Sequence, residues 1–443
     1  MDKYGLTEGG ILKKLLLVAL PIMGTQFVQM AYNLTDMFWL GRVGSGAVAA
    51  SGAAGMYMWL SVGFLLIGRM GAEIGVSQSL GKGDKKNALL FSQNALCIAV
   101  LIGVLFGFCM ILFKRELVGF FQFREAGVVR DAVRYLSIVG ISVPATFIGS
   151  VIAGTFNASG NSRTPFILNS VGLVINVILD PVFILVLNWG VAGAAIATVF
   201  SQFIVCLSMI SAISFFKDRP FSRYSFRIRP DKEKIIAIFK WTLPICLEGT
   251  LFCFLSMITS RFEASFGADA VAVSKVGSQI ESLSWLIGGG FSSALVVFIG
   301  QNFGAAKAER IRKGVRISAL IMTIWGLLVS LFLWTAGGLV FSFFLPEPRL
   351  VQMGTRYLWI LAFCQLPMNL EGVGAGAFKG TGRTIQPSAA SIVSNVIRPF
   401  LAYFLSRTSL GLSGIWIGIA ITGCIRGIWI CLWYALASRR KTG

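Results

Sequence analysis

Carboxylates set inside long apolar stretches are the groups in this sequence best placed to do chemistry. Asp36, Asp180, Glu248 and Glu371 each interrupt a run of hydrophobic residues. An acid at the centre of a membrane span costs about 2.5–3.5 kcal/mol on insertion scales, so such a group marks proton or cation handling by default. Asn176 stands four residues before Asp180, which puts both side chains on one helix face. Pro181 follows and, in a helix, frees the carbonyl of Val177; a free carbonyl beside a carboxylate suits a cation or a proton. At 1.5 Å of rise per residue, Asp36 lies roughly 33 Å from Lys14 along its helix and Asp180 roughly 25 Å from Arg163. Thr198 lies roughly 10 Å in from the other end of its own helix. With Tyr135, which opens its span from the same side, these groups all fall in the outer half of the N-terminal lobe. Asp36 also reads as an interfacial cap, and Tyr135 as interfacial packing. Glu248 and Glu371 form a second candidate cluster, roughly 20 Å and 25 Å from opposite helix ends, so their depths do not coincide.

Composition excludes most other chemistry. The chain of 443 residues has no histidine, which removes His general bases, His metal ligands and His–Asp triads. Its 8 cysteines, at 97, 109, 206, 246, 253, 364, 424 and 431, lie singly in apolar stretches and read as small packing residues. With no visible nucleophile–base pair or metal cluster, the chain is expected not to be an enzyme and to need no cofactor. Glu73, four residues after Arg69, reads as half of an intrahelical ion pair. Glu281 and Lys275, six apart, do not obviously pair.

The elements that must hold these acids are membrane helices. Hydrophobic residues make up 56% of the chain and charged ones 13%, where a soluble domain carries about 25%. Twelve stretches reach the span length of about 20 residues. They run near 14–39, 46–80, 88–113, 128–157, 163–187, 191–216, 235–262, 269–302, 314–340, 354–379, 384–406 and 412–437. The first is already of span length, so no cleavable signal is expected. Pro21, well inside it, offers a bend point. Lys and Arg number 39 against 19 acids, a net charge of +20. They sit in short loops, where they set orientation and meet anionic lipid, so the expected partner is the bilayer and not nucleic acid. With twelve spans, 24 loop Lys and Arg fall on the side of both termini and 10 on the other, which places both termini in the cytoplasm. The protein is expected in the inner (plasma) membrane, as a monomer.

An internal repeat organises the spans. Leu20-Pro21-Ile22 recurs half a chain later as Leu243-Pro244-Ile245, and at the same offset Gln78 and Gly81 recur as Gln301 and Gly304. With the offset shortened by one, Arg134-Tyr135-Leu136 recurs as Arg356-Tyr357-Leu358, and Gly160 and Pro165 as Gly382 and Pro387. An offset of six spans keeps the membrane orientation, so the halves form a parallel repeat, a pattern of transporters. The expected fold is all-α: a six-helix lobe at 1–216, a cytoplasmic loop at 217–234, a second six-helix lobe at 235–443, and a cleft between the lobes. Asp36 and Asp180 correspond to Thr259 and Ala402, so fold symmetry does not require the acids.

The duplicated six-helix plan, the Leu-Pro pairs of spans 1 and 7, and the Gln/Gly ends of spans 2 and 8 resemble the multidrug and toxic compound extrusion (MATE) transporters over essentially the whole chain. The prokaryotic branch similar to DNA-damage-inducible protein F has a coupling site with a span 1 Asp, a span 4 Tyr, an Asn-x-x-x-Asp in span 5 and a span 6 Thr. Those types fall on Asp36, Tyr135, Asn176, Asp180 and Thr198. Other branches use a span 7 Glu and a span 10 acid, which Glu248 and Glu371 resemble, so this chain carries both sets. The resemblance implies export of amphipathic organic cations in exchange for H⁺ or Na⁺ by alternating access. A sodium ion would take Asp36, Asn176, Asp180 and Thr198 as oxygen ligands. The rival readings are a lipid-linked oligosaccharide flippase and a channel. A flippase should line its cleft with basic residues; only Lys275, Arg398 and Arg426 stand clearly inside spans.

Overall fold

The computed structural model describes residues 5–123, 125–226, 230–345 and 347–439. Of the basic residues counted above, Lys3, Arg124, Arg227, Arg229, Arg440 and Lys441 lie outside them. The described elements are helices: α1 (Ile11–Val43), α2 (Ser45–Gly81), α3 (Lys85–Leu112), α4 (Lys114–Gly119), α5 (Ala126–Ala158), α6 (Arg163–Pro181), α7 (Gly190–Phe215), α8 (Lys232–Ala264), α9 (Ala268–Gly304), α10 (Ala308–Thr335), α11 (Gly337–Phe344), α12 (Pro348–Gly380), α13 (Ile385–Ser406) and α14 (Leu412–Arg439). A turn of π-helix, Val182–Val186, extends α6.

Eleven helices among the described residues are long and apolar enough to cross a membrane. The remaining expected span falls on α12, which is 33 residues long but interrupted by Gln365, Asn369 and Glu371. The expected span 314–340 overruns its helix: α10 ends at Thr335, and the chain turns at Ala336 into the short α11. The short α4 likewise follows α3 and was not expected. α1 runs unbroken through Pro21, and Thr25 Oγ1 donates to the Pro21 carbonyl at 3.0 Å.

The chain forms two compact units. The first comprises Met1–Gly9, Leu16–Cys246 and Gly300–Ala306; the second comprises Gly10–Leu15, Leu247–Ile299 and Lys307–Gly443. In the first, α5 packs on α2, α3 and α7, and α7 in turn on α6. Small residues allow the approach: a Cβ on Gly107 of α3 would stand 2.5 Å from the Gly140 carbonyl of α5. Gln301, 4% exposed, accepts from the Leu6 N–H at 2.9 Å and donates to the Ala158 carbonyl at 2.8 Å. The segment after α7 is pinned to this unit, with Tyr224 in hydrogen-bond contact with Ser92 at 3.1 Å and Gln93 donating to the Ser225 carbonyl at 2.6 Å. In the second unit, α12 packs on α10 and α14, and α14 on α13. These pairs repeat α5 on α3 and α7, and α7 on α6.

Candidate functional site

In the first unit, one cluster is built from four helices. Asp36 stands in the penultimate turns of α1, Asn176 and Asp180 on one face of α6, Thr198 in the third turn of α7 and Tyr135 in α5. Asn176 Nδ2 donates to Asp180 Oδ1 at 3.1 Å, and both residues are fully buried. Thr198 Oγ1 donates to Asp36 Oδ2 at 3.2 Å. Asp36 on α1 lies close enough to Asp180 and Asn176 of α6 to interact with both. Tyr135, 7% exposed, lies near both acids. The structure therefore brings together all five residues singled out in the first half of the sequence.

Two neighbours were missed. Tyr32, one turn before Asp36 on α1, is buried near both acids, and Ser201, three residues after Thr198, is fully buried. The i, i+4 step from Asp36 was the available signal for Tyr32. Asp36 Oδ1, Asp180 Oδ2, Asn176 Oδ1, Tyr32 Oη and Ser201 Oγ are buried without a hydrogen-bond partner among the described residues. Buried polar atoms are normally satisfied, so unsatisfied acceptors crowded around two carboxyl groups suit a shared proton or a small cation. The backbone is irregular at the same place. Pro181 has no N–H to donate, and the chain widens into the π turn, closed by Leu187 N–H donating to the Val182 carbonyl at 2.9 Å. Such π segments recur at functional sites.

The second unit places Glu248 and Glu371 close enough to interact electrostatically, but each already has a protein partner. Arg426 Nε donates to Glu371 Oε2 at 2.6 Å, and Ser388 Oγ donates to Glu248 Oε2 at 2.8 Å. A further acid was not singled out from the sequence: Glu263 accepts from Ser274 Oγ at 2.8 Å, and that hydroxyl accepts from Trp416 Nε1 at 3.0 Å. Glu281 accepts from Gln365 at 3.4 Å. Arg69 and Glu73 form the expected intrahelical ion pair at 3.1 Å. Among the described residues, no group of three or more Cys, Asp and Glu converges to hold a metal ion.

Comparison with known proteins agrees with this architecture. The MatE family model matches residues 21–182 and again 244–404, and its two starts fall on Pro21 and Pro244, the proline pair of the internal repeat. A probable multidrug resistance protein NorM of Thermotoga maritima is 25% identical over 419 residues, 92% of this chain and 89% of that protein. The multidrug export protein MepA of Staphylococcus aureus is 24% identical, covering 93% and 91%, and an FAD transporter of Shewanella oneidensis is 24% identical, covering 99% and 97%. A crystal structure of a MATE in the bent conformation superposes with a TM-score of 0.92 at 22% identity, over 99% of this chain and 98% of that one. An outward-facing multidrug resistance MATE transporter of the MOP superfamily also reaches 0.92 at 22% identity, over 98% and 97%. These structural likenesses show a many-pass helical membrane fold. Since the family model covers most of the chain in two repeats, the chain belongs to the MatE family and is a membrane transporter, not an enzyme.

Proposed function

We propose that this chain is an antiporter that exports amphipathic, mostly cationic drugs or toxins in exchange for H⁺ or Na⁺ by alternating access. It is assigned to the branch similar to DNA-damage-inducible protein F. The assigned architecture is twelve transmembrane helices, with α12 as the tenth, in two six-helix lobes at 1–216 and 235–443 related by a parallel repeat. The loop 217–234 and both termini are assigned to the cytoplasmic side of the inner membrane, and the protein acts as a monomer. The multidrug names of the Thermotoga and Staphylococcus relatives support drug-like cargo.

The observation that carries this reading is the pair of half-buried Asp36 and fully buried Asp180, braced by Thr198 and Asn176. Two carboxylates close enough to interact repel, and a proton shared between them, or a sodium ion held by Asp36, Asn176, Asp180 and Thr198, relieves that repulsion. The ion drives transport because it binds the two conformations with different affinity. Neutralising the acids also removes charge that attracts a cationic solute, which links ion entry to solute release. Glu248 and Glu371 take second place because Ser388 and Arg426 already hold them. The test is export of an organic cation from vesicles under separately imposed pH and Na⁺ gradients. Export driven by one gradient and abolished by Asp36→Asn/Asp180→Asn supports the reading; gradient-independent conductance without solute would sink it.

A further inference from the structure

The second unit holds two arginines inside its helices that ion coupling leaves unused. Arg398 lies mid-helix in α13, within a stretch apolar enough to cross a membrane, and is 9% exposed. Its Nε donates to Thr422 Oγ1 at 3.3 Å, and its guanidinium stands 5.6 Å from the centroid of the Phe252 ring. Among the described residues no carboxylate reaches ion-pair distance of it. A guanidinium keeps its proton and carries five donors, so a buried one is ordinarily paired. Arg426 of α14 is close enough to repel Arg398, and commits its Nε to Glu371. Glu371 and Glu281 act on Arg398 only from beyond ion-pair distance, while Arg426 opposes it. Among the described residues its guanidinium therefore has no counter-ion in direct contact, and an anion placed against it would be stabilised. Ser394, one turn before Arg398, has a buried hydroxyl without a partner among the described residues and can add a donor.

The repeat supplies an independent observation. The offset that carries Gly160 and Pro165 to Gly382 and Pro387 also carries Asn176 to Arg398 and Asp180 to Ala402. Where the first repeat has an amide and a carboxylate, the second has a guanidinium and a methyl group. The polarity of the corresponding helix face is reversed.

We propose that Arg398 and Arg426 form a subsite for an oxyanion, the carboxylate or phosphate ester of the transported solute. The planar fork of Arg suits such groups because it can donate two parallel hydrogen bonds. The cargo is then zwitterionic, with a negative group beside its positive one. This rests on the transport reading and sharpens it to a substrate class.

Rhodamine 110, which has a free carboxylate, and rhodamine 123, its methyl ester, differ only at that group. Their binding to the full-length protein in phospholipid-free detergent is read by fluorescence anisotropy. The wild type should bind the acid about tenfold more tightly than the ester, the scale of one charge-assisted contact. Arg398→Gln should weaken the acid alone, and Arg398→Lys, which keeps the charge but loses the fork, should retain part of the preference. A check without mutation is competition: sodium benzoate should displace rhodamine 110 and leave rhodamine 123 in place. Equal or absent binding of the acid, or an unchanged preference in Arg398→Gln, overturns the proposal. Displacement by short-chain phosphatidylglycerol with no preference between the dyes overturns it too, by assigning the arginines to a lipid headgroup. Gradient-driven export of rhodamine 123 tests transport separately, so either reading can fail while the other stands.

Discussion

The hydroxyl of Tyr32 on α1 lies 2.6 Å from where a Cβ on Gly172 of α6 would stand. Tyr32 and Asp36 are one turn apart on α1, as are Gly172, Asn176 and Asp180 on α6. The Tyr32–Gly172 contact therefore sets the register that brings Asp36 level with Asn176 and Asp180.

Gly172→Ala should overpack both this contact and the Val205 side chain of α7 at a cost of about 1–3 kcal/mol and push α1 off register. Export should fall while both acids remain. Because the new methyl meets both the Val205 side chain and the Tyr32 hydroxyl, Tyr32→Phe together with Val205→Ala in the same chain should restore part of the thermal midpoint and the rate. Wild-type export by Gly172→Ala alone would refute the register argument.

Asp36→Asn and Asp180→Asn are each expected to abolish ion-driven export in a folded protein. If the coupling ion is a proton, solute affinity in the wild type falls as pH drops, because the protonated acids no longer attract a cation. The double variant should flatten that profile. Titrating solute binding against pH in both proteins decides the point.

Glu371 and Arg426 should depend on one another for stability. Glu371→Gln leaves the guanidinium without its carboxylate, and breaking a largely buried pair costs about 3–5 kcal/mol. The double variant Glu371→Gln/Arg426→Gln should be less destabilised than either single change. Additive losses in thermal midpoint would show that the pair is not coupled.

Asp84 caps α3 in a loop outside the membrane-spanning segments, accepting from the Asn87 N–H at 2.9 Å and from its side chain at 2.6 Å. These donors hold its carboxyl below the ordinary carboxylate value. A depressed folded-state value means that its stabilisation is fully present above about pH 4, the unfolded value, and is lost as pH falls through the folded one. Asp84→Asn keeps an acceptor at the cap, so it should retain the helix start and lose only the acid-dependent part. Acid titration of thermal stability in the two proteins would reveal this.

Much of the helical plan is legible in the sequence because a bilayer imposes it: a span needs a long apolar run, and polar backbone must be satisfied within it. The expected 46–80 and 128–157 lie inside α2 and α5 for that reason. Hydropathy does not sense a change of direction within an apolar run, and so the break at Ala336 and the short α4 and α11 escaped it. Asn176 and Asp180 could be paired from their spacing, because a helix turn fixes which residues share a face. The partnership of Thr198 with Asp36, far apart in the chain, depends on how α1 and α7 pack. Only tertiary structure could decide that Arg426 answers Glu371 while no carboxylate among the described residues reaches ion-pair distance of Arg398. Residue type tells that a charge is buried; its counter-ion is chosen by distance in space, which local spacing does not encode.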